Sequence, residues 1–163
     1  MNDALTFEPW LTRWQLEPDG SAIVTPSARL LPVTREGGPA MLKIASDHSE
    51  RAAPLLLRWW DGRGAARVLA NEGDALLLER ATGQRSLTTM AIENDDDEAT
   101  IILCDVLEQL HRPRRHPTPA LDWLDEWFDD LWPGQTDADG WIRKAARVAR
   151  ELLVDPREAV TLH

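Results

Sequence analysis

The stretch Ala40-Met41-Leu42-Lys43-Ile44-Ala45-Ser46, AMLKIAS, decides how the chain is read. Its apolar and β-branched residues predict a strand. In a strand alternate side chains share a face, so Leu42 and Ile44 point one way and Met41, Lys43 and Ala45 the other. If Leu42 and Ile44 face the core, Lys43 faces either solvent or a cleft. The choice of residue is unusual here, because lysine occurs only as Lys43 and Lys144 and every other fixed cation is arginine. A lysine ammonium is a compact point charge, whereas the arginine fork is wider and binds bidentately. A solvated edge lysine is the ordinary reading; the functional one needs an anion for the ammonium to hold and a carboxylate to fix it.

Working outward from this strand, the runs Ser21 to Val24, Leu30 to Thr34, Ala66 to Ala70 and Ala75 to Glu79 also read as extended. The turn Arg35-Glu36-Gly37-Gly38 supplies glycine where a hairpin wants positive φ, and Asn71-Glu72-Gly73-Asp74 separates the last two runs. Between them Asp47 and Glu50 have capping-box spacing ahead of an apolar run, which predicts a helix. Pro54 conflicts with a regular one, so this helix is expected to be short or kinked. The glycines Gly62 and Gly64 read as permitting a tight turn between helix and strand.

Past Gly83 the period becomes helical. Ala99, Ile102, Leu103, Val106, Leu107 and Leu110 lie on one helix ending at His111-Arg112-Pro113. Leu121, Leu124, Trp127, Phe128 and Leu131 predict a second helix, Trp141 to Leu153 a third, and Val160-Thr161-Leu162 the start of a strand. Five strands with one inserted helix, followed by helices, is an α+β order. It divides the chain into a sheet lobe of residues 1–82 and a helical lobe of residues 83–163.

Composition excludes several classes. A net charge of −10 opposes binding to a phosphate backbone, so nucleic acid is not an expected partner. Cys104 is the sole cysteine, which rules out an internal disulfide and a cysteine-rich zinc site; its apolar neighbours predict a buried, inert thiol. The opening MNDALTFEPW lacks a basic and apolar leader, and no stretch approaches the length of a membrane span, which points to a cytoplasmic protein. The acidic run Glu93 to Glu98 is read as the N-terminus of a helix, where negative charge complements the dipole, in preference to a metal site. His111 and His116 read as solvated. The tryptophans Trp123, Trp127, Trp132 and Trp141 read as helix packing, with Asp122, Asp125, Glu126, Asp129 and Asp130 a possible acidic rim for a polycationic ligand.

The segment RWWDGRGAARVLANEGDALLLER, Arg58 to Arg80, resembles the aminoglycoside and hydroxyurea antibiotic resistance kinase family, the streptomycin 6-phosphotransferases among them. The resemblance rests on Trp60-Asp61-Gly62-Arg63-Gly64-Ala65-Ala66-Arg67-Val68-Leu69 and on the later Leu76-Leu77-Leu78-Glu79, and it aligns over Ser21 to Arg85. It implies a protein-kinase-like fold: an N-terminal five-stranded antiparallel sheet lobe with one helix, then a truncated helical lobe, with ATP and Mg2+ held between them. By the same resemblance Lys43 binds nucleotide phosphates, Glu50 is its ion-pair partner, and Ser27 in the turn TPSAR is a donor over the phosphates. Glu79, Arg80 and Ala81 become the hinge whose backbone receives adenine. TPSAR carries no glycine, a departure from a glycine-rich phosphate loop. His163 falls at the histidine of the catalytic loop, with the catalytic aspartate and the metal ligands expected after it.

Transfer to a small-molecule hydroxyl, such as one on an aminoglycoside, is the implied activity, and residues 1–163 by themselves are expected not to turn over. The alternatives are a non-catalytic nucleotide-binding or protein-interaction remnant of a kinase-like fold, and an unrelated acidic binding domain in which Lys43 is merely solvated. A helical lobe that stops partway is expected to expose apolar surface and to self-associate. Light scattering should therefore find oligomers of residues 1–163; a monodisperse monomer that binds no apolar dye would contradict this.

Overall fold

The computed structural model describes residues 6–46, 52–121, 126 and 140–153. The chain divides into two units, Met1–Pro119 and Ala120–His163. The first unit holds helix α1 (Glu8–Arg13), strands β1 (Glu17–Pro18), β2 (Ile23–Val24), β3 (Ala28–Arg35) and β4 (Gly38–Ala45), helix α2 (Ala53–Trp60), strands β5 (Val68–Glu72) and β6 (Ala75–Glu79), and helices α3 (Leu87–Ile92) and α4 (Asp96–His111). In the second unit the described element is α5 (Gly140–Leu153). The second expected helix and the expected strand at Val160 fall largely or wholly outside the described residues.

All strand pairings are antiparallel, in the order β1-β3-β4-β6-β5 with β2 also on β3. The sheet has six strands where five were expected. The added one, β1, is a two-residue pairing of Glu17 and Pro18 with Thr34 and Val33, too short to leave a period-two signature. β5 runs two residues later than its sequence signal, with a register shift between Val68 and Ala70. The β3–β4 turn has positive φ at Glu36 (52°) and Gly37 (79°), so glycine fills one of the two left-handed positions and Glu36 the other.

The pleat of β4 sorts the two faces as AMLKIAS requires. Ala40, Leu42 and Ile44 are buried with Leu31, Val33 and Leu77, and the short α1 closes this core with Trp10, Leu11 and Trp14 packed against it. Phe7 joins the cluster, with the Arg29 guanidinium carbon 5.3 Å from its ring centre. Leu30, Lys43 and Leu76 are register partners and share the opposite face, where Leu30 and Lys43 are half-buried and Leu76 is buried.

α2 is short, eight residues, as expected, and it accommodates Pro54 in its first turn, where the missing amide has no intrahelical partner to lose. The chain then reverses through Asp61, Gly62 and Gly64, all at positive φ. This turn receives the C-terminal end of α4. Trp60 Nε1 donates to the Leu110 carbonyl at 3.2 Å. Arg114 donates to the carbonyls of Leu110 (2.7 Å), Arg112 (2.9 Å), Gln109 (3.2 Å) and Arg63 (3.4 Å), and lies 4.6 Å over the Trp59 ring. One guanidinium thus satisfies the carbonyls that a helix end leaves open. Burial, and secondarily the charge of Arg63, lower the Arg114 pKa from the ordinary arginine value.

Along α4 the buried line is Ala99 and Leu110, with Ile102 and Val106 half-buried, while Leu103, Leu107 and Ile101 are exposed. Cys104, expected to be buried, is exposed. It lies five residues beyond Ala99, about 140° around the helix, and so faces away from the packed side. The acidic residues Asp96, Asp97 and Glu98 do fill the first turn of α4, although the N-cap Asp95 makes no side-chain cap bond. α3, which the sequence did not signal, is capped by Ser86 Oγ accepting from Thr89 N at 3.3 Å. Trp141 on α5, expected to pack, is 70% exposed.

A Cβ at Gly64 would lie 3.1 Å from Leu110 Cδ2 and Cγ, on a backbone at φ +82°. Gly64→Ala is therefore expected to destabilise the fold by about 1–3 kcal/mol, measured by urea unfolding, through overpacking and strain together.

Candidate functional site

Lys43 stands two residues before the end of β4, bracketed by Leu30 on β3 and Leu76 on β6. Its face of the sheet borders a cavity of about 350 Å³. The walls are Ala45 from β4, Ala53, Pro54 and Leu55 from the first turn of α2, Asn71 from β5, Leu76 from β6, and Gly73 and Asp74 from the β5–β6 turn. Lys43 and Asp74 are the charged side chains among these described lining residues, and the rest of the wall is mostly apolar. Of the two surroundings its strand position left open, solvent or a cleft, the lysine has the cleft, and it is half-buried there. Glu50, the carboxylate expected to fix it, lies outside the described residues, as does His163.

The other expected site residues lie on either side of Lys43 along the strand direction. Glu79 pairs with Ala40, three residues from the level of Lys43, which is about 10 Å at strand rise. Ser27 precedes Ala28, which pairs with Ala45, so it lies about 10 Å from Lys43 in the opposite direction. The order along the sheet is therefore Glu79 and the segment after it, then Lys43, then the turn at Ser27. None of Ser27, Glu79, Arg80 and Ala81 is among the described walls of the cavity.

The turn TPSAR is built without glycine because Thr25 closes it. Thr25 Oγ1 accepts from Ala28 N at 3.0 Å and donates to Ala28 O at 2.9 Å, and Thr25 N also donates to Ala28 O at 2.9 Å. Ser27 O accepts from Ser46 N at 2.8 Å, tying the turn to the end of β4. The amides of Thr25 and Ala28 are thus engaged within the turn, and Pro26 has none.

At the other end, Glu79 N donates to Arg67 O at 2.9 Å, so this amide belongs to the sheet. Just past it, the Arg80 guanidinium pairs with the Asp19 carboxylate, and Arg80 Nη1 reaches the Asp19 carbonyl at 3.4 Å. Sixty-one residues separate the two, and nothing in the local pattern around Asp19 signals the pair. Among the described residues no group of three or more His, Cys, Asp or Glu side chains is placed to hold a metal ion. His111 and His116 are exposed, as expected of solvated histidines, and the His116 carbonyl accepts from Trp59 Nε1 at 3.1 Å. Of the acidic rim only Glu126 is described, and it is exposed. No helix among the described residues is long and apolar enough to cross a membrane.

Residues 13–163 match the aminoglycoside/hydroxyurea antibiotic resistance kinase family. The chain is 46% identical to a streptomycin 3''-kinase of Klebsiella pneumoniae over 94% of its own length and 57% of that relative's. It is 38% identical to a streptomycin 6-kinase of Streptomyces griseus, over 61% of the chain and 33% of the relative. To a hydroxyurea phosphotransferase of Kitasatospora aureofaciens it is 35% identical, over 90% of the chain and 43% of the relative. The chain thus spans about half the length of these relatives or less. No solved structure matches it.

Because the Thr25 hydroxyl stands in for glycine in shaping the turn, Thr25→Val is expected to cost about 1 kcal/mol. Hydrogen exchange should show the Ala28 amide losing protection while the amides of the central strand β4 keep theirs.

Proposed function

Since the chain belongs to the aminoglycoside/hydroxyurea antibiotic resistance kinase family, we propose that its sheet forms the nucleotide site of an ATP-dependent small-molecule phosphotransferase. The observation that carries this reading is Lys43: a half-buried lysine on the sheet face opposite the core, at the edge of a cavity walled by the first turn of α2. In this reading Lys43 holds the nucleotide phosphates as a point charge, and Glu50 fixes the ammonium. Ser27 lies over the phosphate end, and the backbone of Glu79, Arg80 and Ala81 receives adenine. The order of hinge segment, lysine and turn along the sheet supports it, because an extended nucleotide laid along the strands has its base and its terminal phosphate at opposite ends.

Bound magnesium ATP would supply the phosphoryl group and the metal's charge neutralisation. The donor chemistry on this chain fits the phosphates; no described residue is assigned to the metal. In the whole protein the acceptor is a hydroxyl of an aminoglycoside of the streptomycin type, a reading supported by the names of the relatives. Those names also weigh against a non-catalytic remnant. With the proposal goes a division between a nucleotide lobe of residues 1–82 and a helical lobe beyond it. Residues 1–163 assayed on their own are expected to bind nucleotide without useful turnover. Ile92, Ile101 and Leu103, exposed on α3 and α4, are the surface through which copies would associate.

Calorimetric titration of the 163-residue chain with magnesium ATP tests the site. Saturable binding is expected, weakened at least about tenfold by Lys43→Ala, which corresponds to about 1.4 kcal/mol or more. A folded chain that gives no saturable heat would overturn the nucleotide reading.

A further inference from the structure

We propose that Asp19 is a positioning residue for the base of the nucleotide: through Arg80 it fixes the backbone just past β6 against which adenine docks. The inference rests on the nucleotide reading of the sheet.

Three observations carry it. First, the pair spans the sheet. Asp19 follows β1 and Arg80 follows β6, with β3 and β4 lying between those strands. A side-chain bridge over two intervening strands fixes the segment after β6 where the strand ladder has stopped holding it. Second, Asp19 is itself held. Its amide donates to the Pro32 carbonyl at 2.8 Å. The adjoining Gly20, at φ +152°, lies so close to Pro32 that a Cβ would come within 3.1 Å of the proline Cγ. The bend carrying the carboxylate is therefore pressed onto β3 at Pro32.

Third, the pair differs from an ordinary surface bridge. Arg13 and Glu72, 2.8 Å apart, leave 61% and 43% of their side chains exposed; in the Asp19–Arg80 pair the carboxylate is as open, at 48%, but the Arg80 side chain is only 19% exposed and adds a bond to the Asp19 backbone. Exposed pairs of the Arg13 kind are worth about 0–1 kcal/mol; a charge-assisted pair with one side chain largely withdrawn from water is better able to hold a backbone in place. Asp19 has no reach to the phosphate end, so its effect should be confined to the base.

The test separates the two ends of the nucleotide. The 163-residue chain, Asp19→Asn, Arg80→Lys, the charge-exchanged double variant Asp19→Arg/Arg80→Asp, and Lys43→Ala are titrated with adenosine, magnesium ATP and tripolyphosphate. Asp19→Asn should weaken adenosine and ATP about tenfold and leave tripolyphosphate unchanged, with the exchanged pair recovering most of the loss. Lys43→Ala should show the converse preference. Arg80→Lys, which keeps the charge and loses the fork, carries the same prediction at smaller amplitude if Asp19→Asn does not fold. Unchanged adenosine affinity in a folded variant, or an equal loss for tripolyphosphate, overturns the proposal. Wild-type binding of tripolyphosphate without adenosine overturns it alone, and absence of ATP binding overturns it together with the nucleotide reading.

Discussion

The structure depends on the two-residue period of β4. Once Leu42 is driven into the core between Leu31 and Leu77, its neighbour has no choice of side, and Lys43 emerges among Leu30 and Leu76 on the other face. A register slip of one residue would bury the ammonium and expose Leu42 and Ile44, a loss of several kcal/mol from apolar burial and charge desolvation together. The same constraint that stabilises the sheet therefore aims the lysine. The α1 tryptophans and Phe7 reinforce it by covering the core face.

The second constraint is the joint between the turn after α2 and the end of α4. Trp59, Trp60, Gly64 and Arg114 meet there, and each serves the others: the ring carries the guanidinium, the guanidinium closes the helix, and the glycine leaves room for Leu110. The segment WDGRGAARVL thus earns much of its distinctiveness as architecture. Since the first turn of α2 also walls the Lys43 cavity, a joint at one end of that helix limits how far its other end can shift from the lysine.

Much of this was legible in the sequence, for identifiable reasons. The alternation in AMLKIAS, the helical stripe ending at His111 and the family resemblance of Trp60 to Leu69 each rest on a pattern that survives in one dimension. What was missed rests on contacts between distant residues. β1 is two residues long, Thr25 replaces glycine with a hydroxyl, and Asp19 meets Arg80 across most of the sheet. Pro54 pointed to a short or kinked helix, and α2 is short, eight residues with the proline in its first turn. The apolar sequence neighbours of Cys104 predict burial, whereas a helix decides burial by angle and leaves the thiol exposed.

The hydroxyl-closed turn at Thr25 bears on how a ligand would pay for order. A glycine-rich loop is mobile when empty, and whatever it wraps must supply the entropy of freezing it. Here Pro26 and the Thr25–Ala28 bonds have already frozen the turn during folding. If the nucleotide reading holds, such an edge would meet an incoming anion at little entropic penalty without folding down over it. The expected signature is then an association with a small unfavourable entropy and a modest enthalpy.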